Sequence, residues 1–253
     1  MITTAKEFDG WQELASYVAV AAGRCTGDKL GLFMDGYFVL GEDISYNKAW
    51  TPYKNFSFYY SSGVSWTNGA QCGFQGVFDG RGHIIDGMSV SGQYNAFVVT
   101  MNSNAELKNI IFTNASVSGN SSFLVRAEGG IYTNIYIQYS SISNSTSEYL
   151  STFAHTGANA NQKYNTVVID VTGCAFDDEV QNVAFVAQWQ AYGVHVVGKV
   201  FSEIPAFSQG DLAGAQFADF NALLADGTAN VASWDTSFWD TAAGKPLALT
   251  AAD

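Results

Sequence analysis

Positive charge is scarce in this chain. Lysine and arginine number 11 against 23 acidic residues, the formal net charge is −12, and the arginines, Arg24, Arg81 and Arg126, lie far apart. Such a field repels phosphate backbones and anionic lipid, so nucleic acid is not an expected partner. Cysteine is equally sparse. Cys25, Cys72 and Cys174 are odd in number and share no close spacing, which argues against a disulfide framework or a zinc site and for buried free thiols. No apolar run approaches the ~20 residues that a membrane span needs, so no membrane insertion is expected. The start, Met1-Ile-Thr-Thr-Ala-Lys6, lacks the basic opening and apolar stretch of a secretory signal. His83, His155 and His195 form no i, i+4 pair and are not followed by further ligands, so neither a metal nor a cofactor is expected, and each reads as a hydrogen-bonding surface residue.

What the chain has instead is aromatic residues. They make up 15% of it, with 18 Phe, 13 Tyr and 6 Trp, while charged residues are only 13%. This composition describes an uncharged polar exterior over an aromatic core, and 253 residues suit one elongated domain. Near the start, Thr4-Ala-Lys-Glu7 has the form of a capping box, and Phe8, Trp11, Leu14, Ala15, Val18 and Ala21 recur at three- and four-residue intervals. A short amphipathic helix is therefore predicted, ending near Gly23.

From Phe74 the texture changes to short strands punctuated by Gly, Asn and Ser. One phrase returns once per turn: Ile85-Asp-Gly-Met-Ser-Val90, Leu107-Lys-Asn-Ile-Ile-Phe112, Tyr132-Thr-Asn-Ile-Tyr-Ile137, Tyr164-Asn-Thr-Val-Val-Ile169 and Ala191-Tyr-Gly-Val-His-Val196. Their first residues lie 22, 25, 32 and 27 apart, a period that fits stacked rungs with loops let out on one side. The first, fourth and sixth positions are apolar and point inward. The third, Asn109 and Asn134 in two rungs, suits a corner because Asn tolerates left-handed backbone. Phe97, Phe123, Phe153 and Phe185 precede the phrases and predict an interior aromatic ladder at the ~4.8 Å strand spacing. The expected fold is all-β: a right-handed single-stranded parallel β-helix of about five rungs over 74–204. A cap helix and leading strands occupy 1–73, and a helical or irregular C-terminal cap occupies 205–253.

Several phrases resemble a known family in order along the chain. Ile2-Thr-Thr-Ala-Lys-Glu-Phe8, Leu40-x-x-Asp43-Ile44, Trp50-Thr-Pro52, Phe74-x-Gly-x-Phe-Asp-Gly-x-Gly-His-x-Ile85 and Trp234…Trp239…Gly244-Lys-Pro-Leu247 are similar to the β-helical repeat modules of bacterial surface proteins, including those with the GLUG motif. Similar modules occur in bacteriophage tail and virion proteins. The resemblance implies a parallel β-helix used for display or adhesion, with no catalytic residue set to carry over. The lack of an evident signal peptide or sorting tail shifts the expectation toward a virion protein or an excised fragment.

No catalytic constellation is evident. Asp79-Gly80-Arg81-Gly82-His83 reads as tight-turn chemistry at a rung corner. A glycosidase needs two carboxylates ~5–9.5 Å apart. The outward columns read from the phrases, Ser91, Thr113, Gln138, Asp170, Val197 and Ser89, Ile111, Tyr136, Val168, His195, hold no adjacent acids. Only loop acids, Glu128, Glu148 or Asp177-Asp178-Glu179, remain to supply a pair. The stacked Ile111, Tyr136 and Val168 face outward and need cover, either from another part of this chain or from another subunit. As an oligomer interface they point to a homo-oligomer, a trimer by resemblance to phage spikes, or to another virion or surface protein. Tyr59, Tyr60, Trp66 and Tyr139 are candidate contacts for cell-surface glycan. The expected function is a non-enzymatic structural or adhesion module on a virion or cell surface, with a polysaccharide-degrading glycosidase or lyase as the alternative.

Overall fold

The structure is a computed structural model that describes residues 1–11, 36–50, 74–92, 95–101, 104–119, 121–127, 130–144, 154–155, 162–176, 186–187, 193–201 and 215–251. The chain is mostly β, with long parallel strands in two sheets. In chain order the strands are β1 (Tyr37–Val39), β2 (Ile44–Trp50), β3 (Val77–Asp79), β4 (Ile84–Val90), β5 (Val98–Thr100), β6 (Glu106–Gly119), β7 (Val125–Ala127) and β8 (Gly130–Asn144). They continue with β9 (Ala154–His155), β10 (Gln162–Asp170), β11 (Ala175–Phe176), β12 (Val186–Ala187), β13 (Val194–Val197) and β14 (Gln216–Phe217). The larger sheet runs β1-β3-β6-β8-β10-β13-β14, and the smaller runs β12-β9-β7-β5. From β5 to β10 the chain alternates between the two sheets, so each return adds one parallel level to each.

Register turns the sequence pattern into columns of like side chains. Ile110, Ile135, Val167 and Val194 lie side by side, as do Ile85, Phe112, Ile137, Ile169 and Val196, and all are fully buried. β-branched residues fit here because their branched carbons pack against the same atoms one level away. Truncating one, as in Ile135→Ala, leaves a cavity and costs about 2–5 kcal/mol. The ladder of rings is present but crosses between columns: Phe97 meets Phe112 at 5.6 Å, Phe112 meets Phe123 at 5.1 Å, and Phe123 meets Tyr139 at 5.4 Å, all edge to face. Phe153 and Phe185 lie outside the described residues.

Corners fall where the backbone turns left-handed. Asn109, Asn134, Thr166 and Gly193 follow one another in register with φ of 52°, 55°, 66° and 81°. Asn47, Gly87 and Asn114 mark a second corner with φ of 46°, 73° and 49°. Gly87 is required by space as well as by φ, since a Cβ there would lie 2.9 Å from the backbone Cα of Asn47.

The first repeat departs from the alignment expected from sequence. Leu107 pairs with Phe78, and Ile85 pairs with Phe112. The phrase beginning at Ile85 therefore belongs one corner later, with Gly87 opposite Asn114 rather than Asn109. Gly80 to His83 form the turn that shifts it. Parallel pairing also extends beyond residues 74 and 204: β1 and β2 add a level before Phe74, and β14 adds one after β13.

The two ends of the chain do different jobs. Residues 5–11 are helical, with Glu7 N donating to Thr4 Oγ1 at 3.2 Å, and the Glu7 carboxylate accepts from Thr3 N and Thr3 Oγ1. Phe8 and Trp11 enter the core, with ring centroids 4.9 Å from Trp50 and 4.6 Å from Phe78. Leu14 to Ala21 lie outside the described residues. The C-terminal segment continues the larger sheet by one strand, β14, and packs its apolar side chains against that sheet's outer face. It comprises a helix at Phe220–Ala225, a 3-10 turn at Val231–Ser233, the hairpin β15 (Trp239–Asp240) with β16 (Lys245–Pro246), and a helix at Leu247–Thr250.

Candidate functional surfaces

The C-terminal segment settles what covers the outward apolar stripe. Ile111, Tyr136, Val168 and Val197, from four successive levels, form a second apolar cluster with Phe217, Leu223, Val231, Trp234, Phe238 and Trp239. Ile111 and Val168 are fully buried and Tyr136 is 1% exposed within the single chain. The oligomer interface expected at Ile111, Tyr136 and Val168 is thereby corrected: the chain's own tail occupies that face, and no second copy can reach it while the tail is in place. The outward column at this position begins with Ile84, which packs against the same cluster, and not with Ser89, which pairs with Ser116.

Polar groups fix the tail in place. Asn134 is the hub: its Nδ2 donates to Asn109 Oδ1 at 3.0 Å and to Asp235 Oδ2 at 3.1 Å, and its Oδ1 accepts from Trp239 Nε1 at 3.0 Å. Asn109 Nδ2 donates in turn to Asp79 Oδ1 at 3.0 Å. A hydrogen-bonded line thus runs across three levels of the sheet into the tail. Below it, Tyr136 Oη donates to Asp170 Oδ2 at 2.6 Å, and Asp170 is only 1% exposed. Burial, with the carboxylate beside it, pushes the Tyr136 phenol far up, so it stays a donor at any physiological pH.

The Gly-rich corner is turn chemistry. Asp79 accepts from Tyr37 Oη at 2.7 Å, from Asn109 Nδ2, and from Arg81 N at 2.9 Å. Burial pushes its carboxyl up, but these three donors outweigh burial and hold it below the usual carboxylate range. Arg81 takes φ of 53° and Gly82 φ of 80°. His83 Nδ1 lies 3.1 Å from Asp43 Oδ1, which also accepts from Ile84 N at 2.9 Å.

Other carboxylates bind side chains on neighbouring levels or close turns. Asp86 accepts from Thr113 and Asn114, each at 2.7 Å, and Glu106 accepts from Thr133. Asp235 binds the Ser237 hydroxyl and amide and Asn134, and these bonds hold it below its ordinary range. A glycosidase acid needs the opposite, a carboxyl pushed up to hold its proton. Among the described residues, no group of three or more His, Cys, Asp or Glu could hold a metal ion, and no helix is long and apolar enough to cross a membrane.

The remaining expectations divide. Tyr139 is corrected: it pairs with Ala115 and points inward, 1% exposed, against Phe123, so it cannot contact glycan. A register shift beside Ala115 turns it, because one extra residue flips a strand's faces. Tyr59, Tyr60 and Trp66 lie outside the described residues, as do Glu128, Glu148 and Asp177-Asp178-Glu179. His195 is not the surface residue expected from sequence. It is 9% exposed and lies beneath Trp234, at a ring distance of 5.3 Å. The signal was its column, since it stands in register with Val168. Cys174 is a free, half-buried thiol, and burial pushes it up to about 11, away from thiolate chemistry. No family model, curated protein or solved structure matches the chain.

Proposed function

We propose that this chain is a non-enzymatic structural or adhesion module, a right-handed parallel β-helix that presents a rigid surface on a virion or a bacterial cell. One observation carries the proposal: the carboxylates placed along the described rungs, Asp79, Asp86, Glu106 and Asp170, are each engaged in ladder, turn or side-chain hydrogen bonds, and none pairs with another acid. A scaffold uses its acids that way, whereas a glycosidase must leave two facing a groove. The right-handed sense follows from the rule that parallel crossovers within a sheet take that hand in about 98% of cases. The resemblance to GLUG-type and phage tail modules points to the same role. Association with a second copy, a trimer included, or with another particle component would use a surface other than the covered stripe, and glycan recognition would fall to residues other than Tyr139.

The test is to incubate the protein with purified bacterial surface glycans and size the products. A scaffold leaves chain length unchanged. Defined oligosaccharides would overturn the proposal and establish the polysaccharide-degrading alternative. Mass measurement in solution, with and without purified particle components, tests the assembly role: a strict monomer with no affinity for any of them counts against it.

A further inference from the structure

One buried titratable group has no use in the scaffold, and it sits at the seam between sheet and tail. β13 carries His195 outward, in register with Val168, beneath the rings of Trp234 and Phe217 at 5.3 and 6.2 Å. Its Nδ1 is buried with no hydrogen-bond partner among the described residues. A neutral imidazole can leave one nitrogen bare in an apolar seam, but an imidazolium carries a proton on both nitrogens and a charge that this seam does not solvate. The charged groups on the described elements packed here are Lys163 and Asp170 on β10, Asp219 and Asp226 flanking the helix Phe220–Ala225, Asp235 beyond Trp234, and Asp240 and Lys245 on the hairpin. Of these, Asp226 acts on the ring, and its carboxylate is already engaged by the Thr228 hydroxyl and the amides of Thr228 and Ala229.

We infer that His195 is an acid-sensitive latch: while neutral it lets residues 217–250 lie on the sheet, and its protonation lifts that segment and uncovers Ile111, Tyr136, Val168 and Val197. This is independent of the proposed scaffold role. Burial lowers the imidazole from its ordinary 6.5 to about 4, against an opposing pull from Asp226. With the folded value depressed, the closed state is fully favoured above 6.5 and loses ground as pH falls from there toward 4. The carboxylates of Asp226 and Asp235 are held below their ordinary 3.8, so they titrate beneath this window.

Amide hydrogen exchange on the full chain, corrected for the intrinsic pH dependence of exchange, reads the latch. Protection at the amides of Trp234, Trp239 and Leu247 should fall by ~80-fold between pH 6.5 and 4, while Ile135 and Ile137 stay protected. In His195→Leu, which keeps the apolar column and cannot titrate, the tail amides should show no such fall. Equal loss in both proteins, or none in the wild type, overturns the inference. Should the variant fail to fold, an NMR titration of the wild-type imidazole decides: an apparent pKa at or above 6.5 with the tail still protected also overturns it.

Discussion

Asn134 is where the sheet, its corner and the tail meet, and its replacement by alanine tests that junction quantitatively. The residue is 4% exposed at φ of +55°. Alanine at a left-handed position costs about 1–2 kcal/mol. Loss of the two amide donations, to Asn109 and Asp235, costs about 1 kcal/mol each, and stranding the indole N–H of Trp239, which is 1% exposed, costs about 1–3 kcal/mol more. Members of one network do not add simply, so the expected loss is about 4 kcal/mol. Denaturant unfolding at equilibrium measures it, and Asn134→Gly supplies the control: glycine removes the same hydrogen bonds without backbone strain, so it should be milder than alanine by about 1–2 kcal/mol. A loss under about 2 kcal/mol for Asn134→Ala, or a glycine variant worse than alanine, would refute the account of the corner.

Three other outcomes are expected. Thr166 holds the same corner one level on at φ of 66°, a poor place for a β-branched residue, so Thr166→Asn should stabilise the protein by about 1 kcal/mol in the same unfolding assay. Tyr136→Phe removes the donor to buried Asp170, which among the described residues keeps the Thr172 amide, and should cost about 2–4 kcal/mol with a matching fall in the thermal midpoint. Asp79 and Asp235 both have folded carboxyls below their ordinary 3.8, so the stability they confer is complete above that value and lost as pH falls through the folded values. Unfolding titrations of Asp79→Asn and Asp235→Asn should therefore lose part of the wild-type decline seen below pH 3.8, and an unchanged acid limb would argue against these assignments.

The middle of the fold was legible in sequence because its signal is local. Leu107, Tyr132 and Tyr164 do pair in register, and Thr166 and Gly193 follow Asn109 and Asn134 at the corner as the phrases implied. Inward and outward positions alternate with a period of two, and left-handed corners favour Asn and Gly, so both leave marks in single rungs. The first repeat departs from its phrase because Gly87 and Asn109 hold the same place in sequence but occupy different corners, and only strand pairing distinguishes them. At Tyr139 a single shifted residue beside Ala115 reverses the face, which alternation along the strand does not encode.

By itself, then, the sequence determined a parallel repeating β chain with an aromatic core, Asn corners, and an outward apolar stripe that required cover. Only the tertiary structure decided what provides the cover, since the contacts of Tyr136 with Trp239 and of His195 with Trp234 join segments far apart in the chain. Periodicity encodes which way a side chain points within its own strand, and it carries no information about which distant segment folds back to meet it.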